Sequence, residues 1–304
     1  MRILLFGKNG QVGWELQRSL APLGELIALG HESRGRDSRD LCGDLSDAKG
    51  LADTVRTVAP DVIVNAAAYT AVDKAESETE LAHAVNAVAA GLLAQEAKRA
   101  DAWLVQYSTD YVFDGSGDEP WLETDATAPL NVYGATKLEG EQLIKRSGCN
   151  HLIFRTSWVY GARGGNFAKT MLRLARERDT INVIDDQIGA PTGADLLADV
   201  TAHAIRTALQ RQELSGLYHL AAGGETSWHG YARFVIDFAR RAGVAFKVAP
   251  DAINPVPTSA FLTPAKRPHN SRLDTAKLRS TFDLHLPDWK TGVERMLSEV
   301  LEKT

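Results

Sequence analysis

Short apolar runs rich in β-branched residues alternate with longer segments of helical periodicity through the first half of the chain. The runs are bounded by Gly, Asn, Ser or Thr, as buried strands are, and they span residues 2–6, 26–29, 62–65, 103–108 and 151–156. Helical patterns lie between them at residues 11–20, 77–99 and 133–145. Because parallel strands need crossover connections, the alternation predicts a doubly wound α/β domain with a parallel sheet between helices.

The second half of the chain has a looser pattern that predicts a smaller α/β lobe. Cap residues and apolar spacing predict helices at 166–178, about 194–209 and 227–241, and two terminal helices opened by Asp274 and Asp288. Residues 181–184 and 216–220 are typical of further strands, whereas four prolines within 254–268 predict a loop without regular structure. We expect two interleaved domains, namely a cofactor-binding domain (1–165 plus about 186–226) and a substrate-binding lobe (about 166–185 plus 227–304).

Charge and composition exclude several classes of protein. The 304 residues carry 34 Lys and Arg against 39 Asp and Glu, a net charge of -5, which argues against a general nucleic-acid binder. No run approaches the roughly 18 apolar residues of a membrane span, and the first strand follows Met1 without a signal peptide. Cys42 and Cys149 do not form a disulfide framework, and the histidines show no zinc spacing. A cytoplasmic protein is therefore expected.

A glycine-rich loop joins the first strand to the first helix. Gly7, Gly10 and Gly13 stand in the sequence GKNGQVG, where glycines permit a tight turn, close approach to a pyrophosphate and close helix packing. The helix N-terminus then offers free N–H groups to the phosphates. This context favours a dinucleotide site of the Rossmann type over an ordinary turn.

The end of the second strand leaves the choice between NADH and NADPH open. Gly30 stands where an acidic ribose ligand is expected. Glu32 nearby would suit NADH, whereas three arginines would suit the 2′-phosphate of NADPH, and these are Arg34, Arg36 and Arg39. The pair Asp44-Leu45 is a weaker candidate for contact with the adenine.

Tyr133 and Lys137 form the one Tyr-xxx-Lys motif of the chain. Residues at i and i+4 share one face of a helix, so the phenol and the ammonium are expected side by side. A free tyrosine titrates near pH 10, and a neighbouring cation would lower that pKa toward the working range. A surface pair of no function is the alternative.

Ser108 and Thr109 lie at the carboxyl end of the fourth strand, where ligands of open α/β sheets bind. A hydroxyl there can donate to a substrate oxygen that gains negative charge during hydride transfer. Together with Tyr133 and Lys137, these residues favour a reductase site.

The motifs together resemble the extended short-chain dehydrogenase/reductase family, and within it the reductases of nucleotide-linked 4-keto-6-deoxy sugars. The resemblance covers essentially the whole chain and rests on these strings: FGKNGQVG (6–13), NAAA (65–68), AVDKAE (71–76), STDYVF (108–113), PLNVYG (129–134), RTSWVY (155–160), GAPTG (189–193) and RPHNSR (267–272).

The resemblance implies reduction of the C4 keto group of dTDP-4-dehydro-L-rhamnose by NADPH or NADH. Tyr133 would donate the proton to O4, Lys137 would hold the nicotinamide ribose and tune the tyrosine, and Thr109 would bind the reacting carbonyl. Further matches to cofactor contacts are Gly10, Gln11, Val12, Ala68, Tyr69, Thr70 and Tyr107. A place in dTDP-rhamnose and O-antigen biosynthesis is implied as well.

Candidate substrate contacts come from the same resemblance and from the positions of cations. Thr109, Asp110 and Trp158 match sugar-nucleotide contacts. Basic side chains beside the proline-rich segment would suit a diphosphate, and these are Lys266, Arg267 and Arg272. A solvated surface is the alternative for each cation, and a core position is the alternative for Trp158.

Some relatives are dimers around a magnesium ion that carboxylates hold. The matching positions are Glu15, Asp195 and Glu299, and oxygen ligands suit Mg²⁺. Exposed helix carboxylates with no metal are the alternative. Any such metal would be structural, and a homodimer is expected with it.

Two rival functions remain at this stage. A dehydratase or epimerase of the same fold is disfavoured, because resembling dehydratases carry an acid where Tyr111 stands, and a phenol cannot replace a carboxylate at neutral pH. A non-enzymatic, NADP-binding regulatory subunit is disfavoured because Thr109, Tyr133 and Lys137 are all present.

Overall fold

The computed structural model describes residues 1–33 and 41–302. The strands are β1 (Arg2–Phe6), β2 (Glu25–Leu29), β3 (Val62–Asn65), β4 (Trp103–Thr109), β5 (Asn150–Thr156), β6 (Val159–Tyr160), β7 (Ile181–Ile184), β8 (Ile188–Gly189), β9 (Thr192–Gly193), β10 (Gly216–His219), β11 (Thr226–Ser227) and β12 (Ile253–Val256). The α-helices are α1 (Gln11–Leu20), α2 (Ala48–Val58), α3 (Val72–Ala75), α4 (Thr79–His83), α5 (Ala89–Ala100), α6 (Val132–Ser147), α7 (Phe167–Glu177), α8 (Ala194–Ala208), α9 (Trp228–Arg241), α10 (Ala276–Phe282) and α11 (Trp289–Leu301).

Six parallel strands form the central sheet in the order β10-β5-β4-β3-β1-β2. The chain therefore runs outward from β1 to β2 and then crosses back to β3 on the other side of β1. In open α/β sheets this reversal leaves a crevice at the carboxyl ends of the strands, where ligands bind. The predicted doubly wound fold is confirmed.

Apolar side chains fill both faces of this sheet, as expected for strands covered by helices on each side. On one face Leu5 and Val64 pack with residues of α1 and α8 such as Leu16 and Leu197. On the other face the alternate positions, Phe6 among them, pack with residues of α2 and α5. The sheet is thereby a rigid base for the loops that leave its carboxyl edge.

A smaller lobe is built around two further apolar clusters from α7, α9, α11 and the short strands between them. Within this lobe β7 pairs in parallel with β12, with Pro255 opposite Val183. The prediction of a loop without regular structure at 254–268 is therefore wrong at its start. Proline is tolerated here because β12 has a partner on one side only. The proposed domain division stays a prediction.

Helix boundaries follow the predicted pattern, with some further helical segments. The helix predicted at 77–99 is α4 and α5 joined by a π-helical turn, Ala84–Val88, and α2 is a helix that the pattern did not single out. The helix predicted to open at Asp274 begins at Ala276. The Asp274 carboxylate accepts a hydrogen bond from the Ala276 amide. No helix in residues 1–33 or 41–302 has the length and apolar character needed to cross a membrane.

Candidate active site

A cavity of about 690 Å³ lies at the carboxyl edge of the sheet, around the reversal between β1 and β3. It brings together most of the residues singled out from the sequence. Those in its lining are Gly7, Gly10, Gln11, Val12, Ala68, Thr70, Tyr107, Ser108, Thr109, Asp110, Tyr133, Lys137 and Trp158.

The glycine loop is shaped by close backbone contacts. Gly7 has a φ of +89°, and a Cβ there would lie 2.7 Å from the Ala67 nitrogen. A Cβ on Gly13 would lie 2.0 Å from the Gly7 carbonyl oxygen, so Gly13 lets α1 pack against the loop. The N-terminus of α1, with Gly10 as its cap residue, therefore faces the cavity with free amides, which suits an anion.

Thr109 and Tyr133 meet at the centre of the cavity. Thr109 ends β4, and Tyr133 lies in the first turn of α6, which begins at the Asn131 cap. Both side chains line the cavity, where the Thr109 hydroxyl donates to Asp110 Oδ1 at 3.1 Å, and burial raises the pKa of Tyr133 to about 12. The predicted lowering of this pKa is thus wrong for the protein alone, and the phenol holds its proton.

Lys137 lies one helical turn beyond Tyr133 and is buried. Its Nζ donates to the Tyr107 carbonyl oxygen at 2.6 Å. Burial lowers the pKa of Lys137 to about 8, against an opposing effect of Glu141. The ammonium is therefore directed at the backbone of β4, and this explains why it does not set the pKa of the phenol here.

Asp110 presents an unpartnered carboxylate oxygen in this cavity. Its carboxyl group is buried, its Oδ1 accepts a hydrogen bond from the Thr109 hydroxyl at 3.1 Å, and burial raises its pKa to about 6. Its Oδ2 has no hydrogen-bond partner. A buried acceptor of this kind is suited to a hydroxyl of a bound ligand, since leaving it unpaired is unfavourable.

Ser108 does not face a ligand in the way that the sequence suggested. Its hydroxyl donates to Glu141 Oε1 at 2.6 Å, and the Arg155 guanidinium binds the same carboxylate. The prediction of Ser108 as a donor to substrate is therefore wrong, because its proton is already committed inside the protein.

Two stacked indoles form one wall of the cavity. Trp158 has a φ of +48°, and its ring lies 3.6 Å from that of Trp228, centroid to centroid. Trp228 begins α9 in the smaller lobe, so the stack joins the two parts of the chain. Sequence reasoning missed Trp228, since nothing local connects it to Trp158.

The predicted diphosphate cations are held by acidic partners. Arg267 Nη2 donates to Asp73 Oδ2 at 2.7 Å, and its Nη1 donates to the Ala265 carbonyl oxygen at 3.3 Å. Arg272 binds Glu225 at 2.6 Å. The Lys266 carbonyl accepts a hydrogen bond from Asn131, which ties this segment to the start of α6. None of these three residues is part of the cavity lining.

Other predicted cofactor residues lie beside the cavity. Leu45 packs its side chain in the core, and Asp44 accepts from Ser46. The Tyr69 hydroxyl donates to Glu78. The Asn86 side chain accepts a hydrogen bond from the Tyr69 amide and donates one to the Tyr69 carbonyl oxygen. Arg34, Arg36 and Arg39 lie outside the described residues.

The proposed magnesium ligands do not assemble within one chain. Glu15 pairs with Arg18 at 3.5 Å, and Arg295 lies between Asp195 (3.7 Å) and Glu299 (4.0 Å). No group of three or more metal-binding side chains occurs in the parts of the chain that the structure describes. Arginine side chains pair with these carboxylates, so they form no metal site within one chain, and a magnesium ion shared between two chains stays a prediction.

Tyr111 and Asn86 are further site residues that sequence reasoning did not assign to the site. Tyr111 packs edge-on against the Tyr133 ring, with centroids 5.6 Å apart. Asn86 lies in the π-helical turn and also donates to Thr136 on α6. A π-helical turn often marks a functional site, but the apolar spacing around it is indistinguishable from that of an α-helix.

The fold and site define an NAD(P)-dependent reductase of the Rossmann class with a Thr-Tyr-Lys centre. The family model described as the RmlD substrate binding domain matches residues 1–302. A dTDP-4-dehydrorhamnose reductase of Salmonella typhimurium is 62% identical over 304 residues, covering 100% of this chain and 99% of the relative. That of Escherichia coli K12 is 60% identical with the same coverage.

Solved structures agree with this result. The dTDP-4-dehydrorhamnose reductase of Bacillus anthracis in complex with NADP is 36% identical to this chain, with a TM-score of 0.85. The match covers 98% of this chain and 99% of the Bacillus anthracis chain. The UDP-glucose 4-epimerase of Thermus thermophilus, at 19% identity and a TM-score of 0.74, shows the fold alone. The chain belongs to the dTDP-4-dehydrorhamnose reductase family, as predicted, and the prediction of an oxidoreductase is confirmed with it.

Proposed function

We propose that Tyr133 is the proton donor in the reduction of dTDP-4-dehydro-L-rhamnose to dTDP-L-rhamnose. The observation that carries the proposal is the placement of the half-buried Tyr133 phenol in the cavity lining with Thr109, at the carboxyl end of β4, and with the buried Lys137. A proton donor must be protonated before reaction, and a pKa of about 12 ensures it. The relatives named as dTDP-4-dehydrorhamnose reductases support the substrate.

Other residues of the cavity have the remaining roles in the proposed reaction. Bound NADPH or NADH supplies a hydride for C4 of the sugar, while the Tyr133 proton goes to O4, so that C=O becomes CH–OH. Thr109 hydrogen-bonds the oxygen on which charge develops, Lys137 holds the nicotinamide ribose, and Asp110 accepts a sugar hydroxyl. The amides at the start of α1 bind the cofactor diphosphate.

Partner, compartment and pathway belong to the same proposal. Both cysteines are buried and free, which is typical of a reducing compartment, so we propose a cytoplasmic protein. A homodimer and a role in O-antigen synthesis follow from the family. Since the carboxylates do not assemble within one chain, no step of the reaction is assigned to magnesium.

Substitution Y133F tests the central role. Purified protein is given NADPH and dTDP-4-dehydro-L-rhamnose made by coupled upstream enzymes, and consumption of NADPH is followed by absorbance. We expect Y133F to lower kcat by about 10²–10⁴-fold while the Kd for NADPH, measured by fluorescence, stays within a small factor of wild type.

A matched control is Y231F, since the Tyr231 hydroxyl is also buried but has no partner and lies outside the cavity lining. It should leave kcat near that of wild type. Near-normal turnover by Y133F would remove Tyr133 from the proposed role. Absence of NADPH consumption by the wild-type protein would reject the substrate instead.

A further inference from the structure

One face of α6 carries a row of ionisable side chains that extends beyond the proposed reaction centre. Tyr133, Lys137, Glu141 and Lys145 stand four residues apart, so they lie on one side of the helix. Lys137 and Glu141 are both buried, at 4% and 1% exposure. A buried carboxylate thus follows the buried ammonium by one helical turn.

The Glu141 carboxylate is fully hydrogen-bonded inside the protein. Arg155 binds it in bidentate fashion, with Nε at 2.9 Å from Oε1 and Nη2 at 2.7 Å from Oε2. The Ser108 hydroxyl donates to Oε1 at 2.6 Å. Charge-assisted bonds of this geometry fix a carboxylate in direction as well as in position.

The three partners belong to three different elements. Ser108 is on β4 and Arg155 is directly opposite it on β5, while Glu141 projects from α6. The carboxylate therefore joins the helix that carries Tyr133 and Lys137 to the strand that ends in Thr109. The same strand supplies the Tyr107 carbonyl to which Lys137 donates.

Charges around Lys137 come from several elements. On α6 these are Glu141 and Lys145, and β5 adds Arg155, whose Nη1 has no partner. The titratable neighbours toward the cavity are Tyr133, Tyr107 on β4, Tyr111 and Asp110.

The elements behind α6 include α5, where Glu96 is bound by Arg56 and Arg99. The π-helical turn Ala84–Val88 has no titratable side chain. Glu76 after α3 accepts from the Val132 amide, and His83 on α4 contacts Glu139 on the exposed side of α6.

We propose that Glu141, held by Arg155 and Ser108, is a positioning residue that keeps Lys137 charged and directed at the Tyr107 carbonyl during reduction. The inference rests on the proposed role of Lys137 in holding the nicotinamide ribose. Glu141 itself touches neither cofactor nor sugar, because it lies outside the cavity lining.

The sign of the pH effect follows from the charges. Lys137 is charged below its pKa of about 8, so activity that needs the ammonium falls as pH rises through this value. Glu141 opposes the effect of burial on this pKa. Without the Glu141 charge, the alkaline limb of the kcat/KM profile for the keto sugar therefore moves to lower pH, by roughly one unit for a lost buried charge.

The test compares two double variants. E141Q/R155M removes the carboxylate without leaving Arg155 as an unpaired buried cation, which preserves the fold better than a single change. The control E96Q/R56M removes another buried carboxylate with a bidentate arginine, on α5 and away from the cavity. We expect the alkaline limb to move to lower pH in E141Q/R155M, by less than one unit because the Arg155 charge is lost as well, and to stay in place in E96Q/R56M, while thermal unfolding measures stability in both.

Two single variants keep the test decisive if the double variant does not fold. E141D retains the charge and should keep the limb near its wild-type pH. K137R carries a guanidinium that stays charged, so the limb near pH 8 should disappear. An unshifted limb in folded E141Q/R155M, or a limb that persists in K137R, would overturn the inference. An inactive wild-type protein would reject the proposed function instead.

Discussion

Burial moves each titratable group of the reaction centre toward its neutral form. The pKa of Tyr133 rises to about 12, that of Asp110 rises to about 6 and that of Lys137 falls to about 8. The common cause is the loss of hydration, which disfavours whichever form is charged. Tyr133, the proposed donor, therefore keeps its proton, whereas burial disfavours the charged form that the proposed role of Lys137 needs.

Glu32 is the residue expected to influence the choice between NADPH and NADH. It lies just beyond β2, where it accepts from Asn9 at 2.8 Å and pairs with Lys8 at 3.3 Å. Hydrogen bonds from its own amide and from Asn9 lower its pKa, so the carboxylate is charged at neutral pH. A 2′-phosphate nearby would be repelled.

Substitution E32Q should therefore favour NADPH. Relief of about 1 kcal/mol of exposed charge repulsion corresponds to a rise of roughly five-fold in the ratio of kcat/KM for NADPH to that for NADH. Steady-state kinetics with each cofactor measure it. E25Q, at the opposite end of β2, is the control and should leave the ratio unchanged. An unchanged ratio in E32Q would show that Glu32 does not face the ribose.

At the scale of elements, the cap residue Asn131 links the start of α6 to a distant segment of the chain. Asn131 Oδ1 accepts from the Gly134 amide at 2.8 Å, which caps the helix, while its Nδ2 donates to the Lys266 carbonyl at 2.7 Å. The same segment is bound to Asp73 through Arg267. Asn131 therefore couples the catalytic helix to the C-terminal part of the chain.

Substitution N131A should affect both stability and substrate binding. Loss of the cap costs about 1 kcal/mol of unfolding free energy, and release of the Lys266 segment should raise KM for the keto sugar several-fold. Denaturant unfolding and steady-state kinetics measure the two effects. D288A removes the cap of α11, where Asp288 accepts from Lys290, and should lower stability without changing KM. Equal effects of both variants on KM would contradict the coupling.

How much the sequence reveals differs between local and distant interactions. Residues 2–6 and 11–20 are the strand and helix that periodicity predicts, because the pattern of burial is local. The π-helical turn was not predicted because it shares the apolar spacing of an α-helix. The strand β12 was not predicted because it contains Pro255, which a strand tolerates only where one of its edges has no partner. Partners such as Asp73 for Arg267 are 194 residues apart, and no pattern in the sequence pairs them.

Across the whole molecule, net charge says little about the proposed anionic ligands. The chain carries -5, and Arg267 and Arg272 are already paired with carboxylates. Attraction of a dinucleotide and a sugar nucleotide must therefore come from local groups, such as the amides at the start of α1 and Lys137. Composition argues against nucleic acid as a ligand, but it does not identify the dinucleotide or the sugar nucleotide.

Stability of the whole molecule at acid pH should depend on His219, which joins β10 to the segment around Trp121. The imidazole is buried, its Nδ1 contacts the Trp121 carbonyl oxygen at 3.0 Å, and its Nε2 has no partner. Burial, reinforced by Arg155, lowers its pKa to about 3. A histidine in the unfolded chain is protonated below about pH 6.5. Between pH 3 and pH 6.5 the unfolded chain therefore binds a proton at His219 that the folded chain does not, and the free energy of unfolding falls as pH decreases through this range.

Substitution H219N should remove this dependence while its amide still donates to the Trp121 carbonyl. Wild-type stability should lose about 1.4 kcal/mol per pH unit through this group, which gives about 2 kcal/mol between pH 6.5 and pH 5. We expect the difference in unfolding free energy between wild type and H219N to shrink by that amount, as measured by denaturant unfolding at pH 7 and pH 5. H285N, at an exposed histidine, is the control, and a difference that stays constant for H219N would show that His219 is protonated in the folded chain.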